Sequence, residues 1–221
     1  MLRAFGSVKA CSIRRTFLAS KAFSQRSTEA LIRRVRACDL CADHLPLGPR
    51  PVFQFGANAP ILLVGQAPGT AAHNSRIPFN DPSGERLRRW LGVTPESFYD
   101  PHSFSLLPVG FCYPGKGSGG DLPPRPECAL QWRDQLLARL CNVQLTLLVG
   151  AHAVKWHLNR PKESLSDLAK DWQSRWPDVV VLPHPSPRNT RWLQQRPWVE
   201  DEIVPAVQQR VAKLLAAYPR A

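Results

Sequence analysis

Short apolar runs recur along the chain, each followed by a loop and then by residues with helical spacing. Ile61-Leu62-Leu63-Val64 gives way to a Gly/Pro-rich stretch and then to Ser83–Leu91, which reads as a helix. Phe104–Val109 reads as a second strand, ahead of a helix over Glu127–Leu140. Leu145–Val149 is a third, followed by a helix from Ala151 and another over Leu165–Trp176, and Val179–Leu182 is a fourth. A basic helix over Glu29–Ala37 precedes them, and a terminal helix over Val199–Tyr218, kinked at Pro205, follows. Helices between strands cover both faces of a sheet, and strands buried on both faces read as continuous apolar runs of this kind. The expected fold is therefore α/β: three-layer α/β/α with a central, mostly parallel four-stranded sheet. The 221 residues are 43% hydrophobic, enough for one such core over residues 29–221. No run approaches the roughly 18 to 20 apolar residues of a membrane-spanning helix, so no membrane partner is expected.

Charge points to a polyanion instead. Lys and Arg number 29 against 17 Asp and Glu, a formal net charge of +12. Such an excess favours nucleic acid through steering and counterion release. Its distribution is uneven: residues 1–28 carry Arg3, Lys9, Arg14, Arg15, Lys21 and Arg26 and no acid. An acid-free segment rich in Arg, Ser and Ala, without an uninterrupted apolar stretch, is the pattern of a mitochondrial transit peptide. A disordered basic arm is the plainer alternative, and the protein would then be cytoplasmic or nuclear. Residues 1–28 are set apart from the fold on either reading.

Of the six cysteines, four have spacings that suit a metal better than disulfides. Cys38 and Cys41 form a Cys-x2-Cys pair after a helix. Cys112 follows a strand and Cys128 opens a helix, with the Gly-rich Tyr113–Gly120 able to fold back between them. Four convergent thiolates suit tetrahedral Zn or a [4Fe-4S] cluster, and spacing alone does not choose. Cys11 and Cys141 are read as non-ligands.

In a parallel sheet the ligand site lies outside the carboxyl ends of the strands, where two loops stand out, Gln66–Pro82 and Pro183–Pro197. The first begins Gly65-Gln66-Ala67-Pro68-Gly69 and continues to Pro78-Phe79-Asn80-Asp81. Its small residues let backbone N–H groups approach a carbonyl or phosphate, and Phe79 can stack on a base. Taken alone, this loop is better explained by a tight turn and a core Phe. The second reads His184-Pro185-Ser186-Pro187-Arg188-Asn189. A His fixed between prolines at a strand end can donate to a developing anion, and Ser186, Arg188 and Asn189 suit phosphates.

Together, GQAPG at 65–69 with PF at 78–79, HPSPRN at 184–189 and the four cysteines resemble the uracil-DNA glycosylase superfamily, in particular its iron–sulfur branch. The likeness spans about residues 30–215. It implies a DNA repair enzyme, a monomer, that flips a uracil or related deaminated base from DNA and hydrolyses its N-glycosidic bond. Phe79 would stack on the base, with backbone N–H groups around Gln66 and Ala67 on one carbonyl oxygen. His184 would hydrogen-bond the charge developing on the leaving base. Ser186 would bind phosphate, and Arg188 and Asn189 would press into the minor groove. Cys38, Cys41, Cys112 and Cys128 would hold a [4Fe-4S] cluster, with Zn as the alternative.

Two positions depart from the pattern. The acid common after the turn is absent from Thr70-Ala71-Ala72-His73-Asn74, which leaves His73 as the nearest group to orient water. Asp81 or Glu85, further on, could swing in to replace the missing acid, although Asp81 also reads as a cap for the helix beginning near Ser83. The Asn that reads the uracil edge four residues before the third cysteine is replaced by Pro108, so discrimination falls to Asn80 or His73. The competing readings are a non-catalytic DNA-binding relative and an enzyme acting on another base.

Overall fold

The structure is a computed structural model that describes residues 24–158 and 163–218. Four strands form one sheet: β1 (Ile61–Val64), β2 (Phe104–Leu106), β5 (Leu145–Val149) and β6 (Val179–Leu182). Their order is β2-β1-β5-β6 and every neighbouring pair is parallel. The period-two alternation of a strand divides their side chains between two cores. Ile61, Leu63, Leu145, Leu147, Val149, Val180 and Leu182 face one side. Leu62, Val64, Leu148 and Val181 face the other.

Helices close both faces. On the first lie α3 (Pro82–Leu91), through Leu87 and Leu91, and α9 (Val204–Ala217), through Val207, Val211 and Leu214. On the second lie α1 (Gln25–Arg36), α5 (Pro126–Leu137), α6 (Ala151–Leu158) and α7 (Leu165–Lys170), through Leu31, Val35, Trp132, Leu136, Val154 and Leu168. This is the expected three-layer α/β/α arrangement. Three short helices fill loops: α2 (Thr70–Ser75), α4 (Pro95–Phe98) and α8 (Thr190–Gln194). The segment between Cys112 and Cys128 carries an antiparallel hairpin of β3 (Lys116–Gly117) and β4 (Gly120–Asp121), where a plain linker was expected.

Some boundaries differ from expectation. The first helix starts at Gln25 because the Ser24 side chain accepts from the Ser27 N–H and caps it, so the expected boundary at 28/29 runs through α1. Residues 1–23, with most of the expected transit segment and Cys11, lie outside the described residues. The terminal helix begins with a π-helical turn over Val199–Ile203 directly ahead of Pro205, whose missing N–H suits a helix start.

β2 lies on one side of β1 and β5 on the other, so the chain reverses its direction across the sheet at the C-terminal end of β1. A parallel sheet opens a crevice at such a point.

Candidate active site

The crevice is a cleft of about 500 Å³. The turn after β1 lines it with Gly65–Gly69, the exit of β2 with Pro108, and the loop after β6 with His184, Ser186, Pro187, Arg188 and Asn189. Phe79, Asp81 and Ser83 complete it from the start of α3, and Gly119, Gly120 and Asp121 from the hairpin.

His184 has one ring nitrogen assigned by its surroundings. The Ser186 backbone N–H donates to Nδ1 at 3.2 Å, so the neutral ring carries its proton on Nε2. Burial holds its pKa below the ordinary 6.5, against the opposing pull of Asp81 and Asp121. The ring is therefore a neutral donor at physiological pH. Asn189 Nδ2 donates to the His184 carbonyl at 2.8 Å, and Arg86 Nη1 to the Ser186 carbonyl at 3.2 Å, which fixes the loop from both sides.

Phe79 lines the same cleft, its ring 3.0 Å from where a Cβ on Gly65 would sit, so a side chain at 65 would press on the ring. Its backbone has φ 56, a left-handed conformation that costs a bulky residue about 1–3 kcal/mol. The strain is held by two donors on its carbonyl, Arg88 Nη1 and the Tyr99 hydroxyl, each at 3.3 Å. Between Phe79 and His184 runs the turn. No other described residue engages the backbone N–H of Gln66 or Ala67, and the Gln66 side chain is turned away to donate to the Leu122 carbonyl at 2.9 Å. A flat ring, two unengaged backbone donors and one imidazole thus belong to residues that line a single cleft. That set suits a planar ring with carbonyl oxygens that gains negative charge.

Comparison with known proteins gives the arrangement a family. The family model described as the uracil DNA glycosylase superfamily matches residues 53–208, a span that holds every cleft loop described above. The chain belongs to that superfamily. It also resembles the solution NMR structure of a protein from Methanosarcina acetivorans provisionally named a uracil DNA glycosylase, with 15% identity, 72% of this chain and 98% of that one covered, and a TM-score of 0.44. Superfamily membership carries DNA as the substrate and glycosidic-bond hydrolysis as the class of chemistry.

Within this superfamily member, the expected site residues separate into two groups. Gln66, Ala67, Phe79, His184, Ser186, Arg188 and Asn189 meet in the cleft. His73 and Asn80 do not. His73 is 2% exposed, points its ring at Tyr113 (centroids 6.2 Å apart) and leaves Nδ1 without a partner. Burial, with Arg50 nearby, lowers its pKa. It belongs to the packing of α2, and the water-orienting role expected of it has no geometric support. Asn80 is exposed outside the cleft, because the left-handed turn at Phe79 throws the next residue outward. Pro108 lines the pocket and, with no N–H and no polar side chain, offers the base no donor; its carbonyl accepts from Arg133 Nη1 at 2.8 Å. One hydrogen of the Asn189 amide nitrogen is committed to the His184 carbonyl.

Two carboxylates stand in the site: Asp81, one of the two acids that the sequence offered from further along, and Asp121, which it did not offer; Glu85 does not line the cleft. Asp81 Oδ1 accepts from the Gly84 N–H at 2.8 Å, the cap read from sequence, while its Oδ2 faces the turn. Asp121 reaches the cleft from the hairpin. The Gly-Ser-Gly-Gly sequence at 117–120, suited to a tight reversal, was the available signal for that hairpin.

The four cysteines expected as ligands, Cys38, Cys41, Cys112 and Cys128, are unpaired and line one small cavity of about 20 Å³ behind the cleft. Trp132 Nε1 donates to Cys38 Sγ at 3.2 Å and the Phe111 N–H to Cys128 Sγ at 3.3 Å, contacts that favour thiolate charge. Burial raises the thiol pKa of Cys112 to about 11 and of Cys128 to about 12, so a cation is what would make them thiolates. Among the described residues no group of three or more His, Cys, Asp or Glu side chains stands close enough to hold a metal ion as placed. The donor chemistry is that of a thiolate-held centre, since all four cysteines line one cavity. Cys141 is exposed, with Sγ 3.5 Å from the Arg139 carbonyl, and takes no part.

Proposed function

We infer that this protein is a DNA glycosylase that excises uracil, or a related deaminated base, by hydrolysing the N-glycosidic bond. The observation that carries the reading is that a neutral His184, its tautomer fixed by the Ser186 N–H, lines one cleft with the Gln66-Ala67 turn and Phe79. The flipped base stacks on Phe79 and places one carbonyl oxygen on the free backbone N–H groups of Gln66 and Ala67. His184 donates to the other oxygen as the C1′–N bond breaks and charge gathers on the base, the stage at which a fixed donor lowers a barrier most. Arg188, exposed at the cleft rim, and Ser186 meet the DNA backbone. A non-catalytic DNA-binding relative would need neither a neutral, tautomer-fixed imidazole nor a strained aromatic facing it.

Cys38, Cys41, Cys112 and Cys128 would hold a [4Fe-4S] cluster, or Zn with the same thiolates. When bound, such a group supplies a structural clamp on residues 112–128 and no redox step. The basic residues 1–28 support a mitochondrial location.

The base is tested with a panel of duplexes, each carrying one uracil, hypoxanthine or xanthine. Full-length protein should release uracil or another deaminated base as the free base, detected by mass spectrometry. Tight binding to all of them with no base released would favour the non-catalytic relative.

A further inference from the structure

The acid that the resemblance places after the turn is missing, yet the cleft holds a carboxylate at that place from another part of the chain. Asp121 ends the β3–β4 hairpin, and its Oδ2 lies 3.3 Å from where a Cβ on Gly69 would stand, against 4.0 Å for Oδ2 of Asp81. Asp121, Gly69 and His184 all line the cleft. Asp81 is less suited to chemistry, because its other oxygen closes the start of α3. Asp121 is exposed at a strand end and caps no helix.

The hairpin is held where this carboxylate can act. Gln66 Nε2 donates to the carbonyl of Leu122, the residue after Asp121, so the turn that would bind the base also sets the position of the acid. The Leu122 N–H in turn donates to the Gly115 carbonyl at 2.8 Å. On the far side Gly120, at φ 146, lies so close to Arg188 that a Cβ there would meet Nη1 at 2.8 Å. The hairpin thus spans the two loops that make the site.

We propose that Asp121 is the catalytic carboxylate of this protein, delivered from the hairpin in place of the acid that the turn lacks. The assignment rests on the glycosylase reading above. In the step, the Asp121 carboxylate faces C1′ of the deoxyribose and stabilises its developing positive charge. A water oxygen forms the new bond to C1′ and passes its proton to Asp121, which later returns it to solvent. The C1′–N bond breaks with its electron pair on the base. The base leaves as an anion held by His184 Nε2–H and is protonated by solvent.

The test uses full-length protein, single-turnover excision from the duplex that the wild type cleaves best, and affinity for the same DNA. Asp121→Asn should lower the rate ~100-fold or more, the usual contribution of a positioned proton acceptor, with affinity unchanged within about twofold. Asp121→Ala should lose as much, and Glu85→Gln, on the exposed side of α3, should match the wild type. A wild type that excises while Asp121→Asn stays within about threefold of it overturns the role of Asp121 and leaves the glycosylase reading standing. A wild type that excises no base overturns that reading, and this assignment with it.

Discussion

The chemistry of the site turns on a few side chains whose neighbours decide what they can do. His184 is useful because one backbone N–H takes Nδ1 and burial keeps the ring neutral. His184→Ala should therefore lower single-turnover excision by about 100-fold or more, the scale of one lost donor to a developing anion, while DNA affinity holds. Phe79→Ala removes a stacking surface worth about 1–3 kcal/mol, so KM for damaged DNA should rise roughly tenfold or more and kcat change less. At this scale the sequence was legible wherever a residue sits in a rigid motif. His184, Phe79 and the 65–69 turn landed together because prolines and glycines leave the chain few paths. His73 and Asn80 did not, since one helical rotation or one left-handed residue redirects a side chain in ways that spacing does not record. Asp121 escaped notice because its place in the cleft comes from a long-range bond, Gln66 Nε2 to the Leu122 carbonyl.

The elements explain why those residues hold still. Apolar runs buried on both faces leave little ambiguity, so β5 and β6 match their expected bounds, whereas β2 stops at Leu106, three residues short of the expected Val109. The short helices and the hairpin were not legible, since two to six residues carry too little periodicity. The join between the Phe79 turn and α3 is tight: a Cβ on Gly84 would lie 1.7 Å from the Phe79 carbonyl oxygen. Gly84→Ala must push that carbonyl off Arg88 and Tyr99, so it should cost about 1–3 kcal/mol of stability by denaturant unfolding. It should also raise KM as Phe79→Ala does. The hairpin and the thiolate cavity share one segment, and purified protein should contain either iron with sulfide or zinc. Cys128→Ser should lose that metal, lower the melting temperature and slow excision together, because a metal held there would anchor the segment that carries Asp121 at Cys112 and Cys128.

At the scale of the molecule, stability and activity should respond differently to acid. Burial, with Arg133 adding to it, lowers the pKa of His157 from 6.5 to about 4, and burial moves His73 and His184 the same way. The folded state keeps these rings neutral while the unfolded chain takes up protons below about 6.5. Their contribution is therefore complete above pH 6.5 and lost as pH falls towards 4. Thermal melting should show the midpoint dropping across that window, and His157→Gln should flatten part of the drop. The neutral form of His184 persists below pH 6.5, so excision should decline later than an ordinary histidine would allow. The three-layer fold, the switch-point cleft and the superfamily match agree on where the chemistry occurs. The most direct measurement is single-turnover release of free uracil from a uracil-containing duplex by the full-length protein beside its His184→Ala variant. The account predicts base release by the wild type and a loss of about 100-fold or more in the variant at equal DNA affinity. Equal rates in the two proteins, or firm DNA binding with no base released by either, would contradict it.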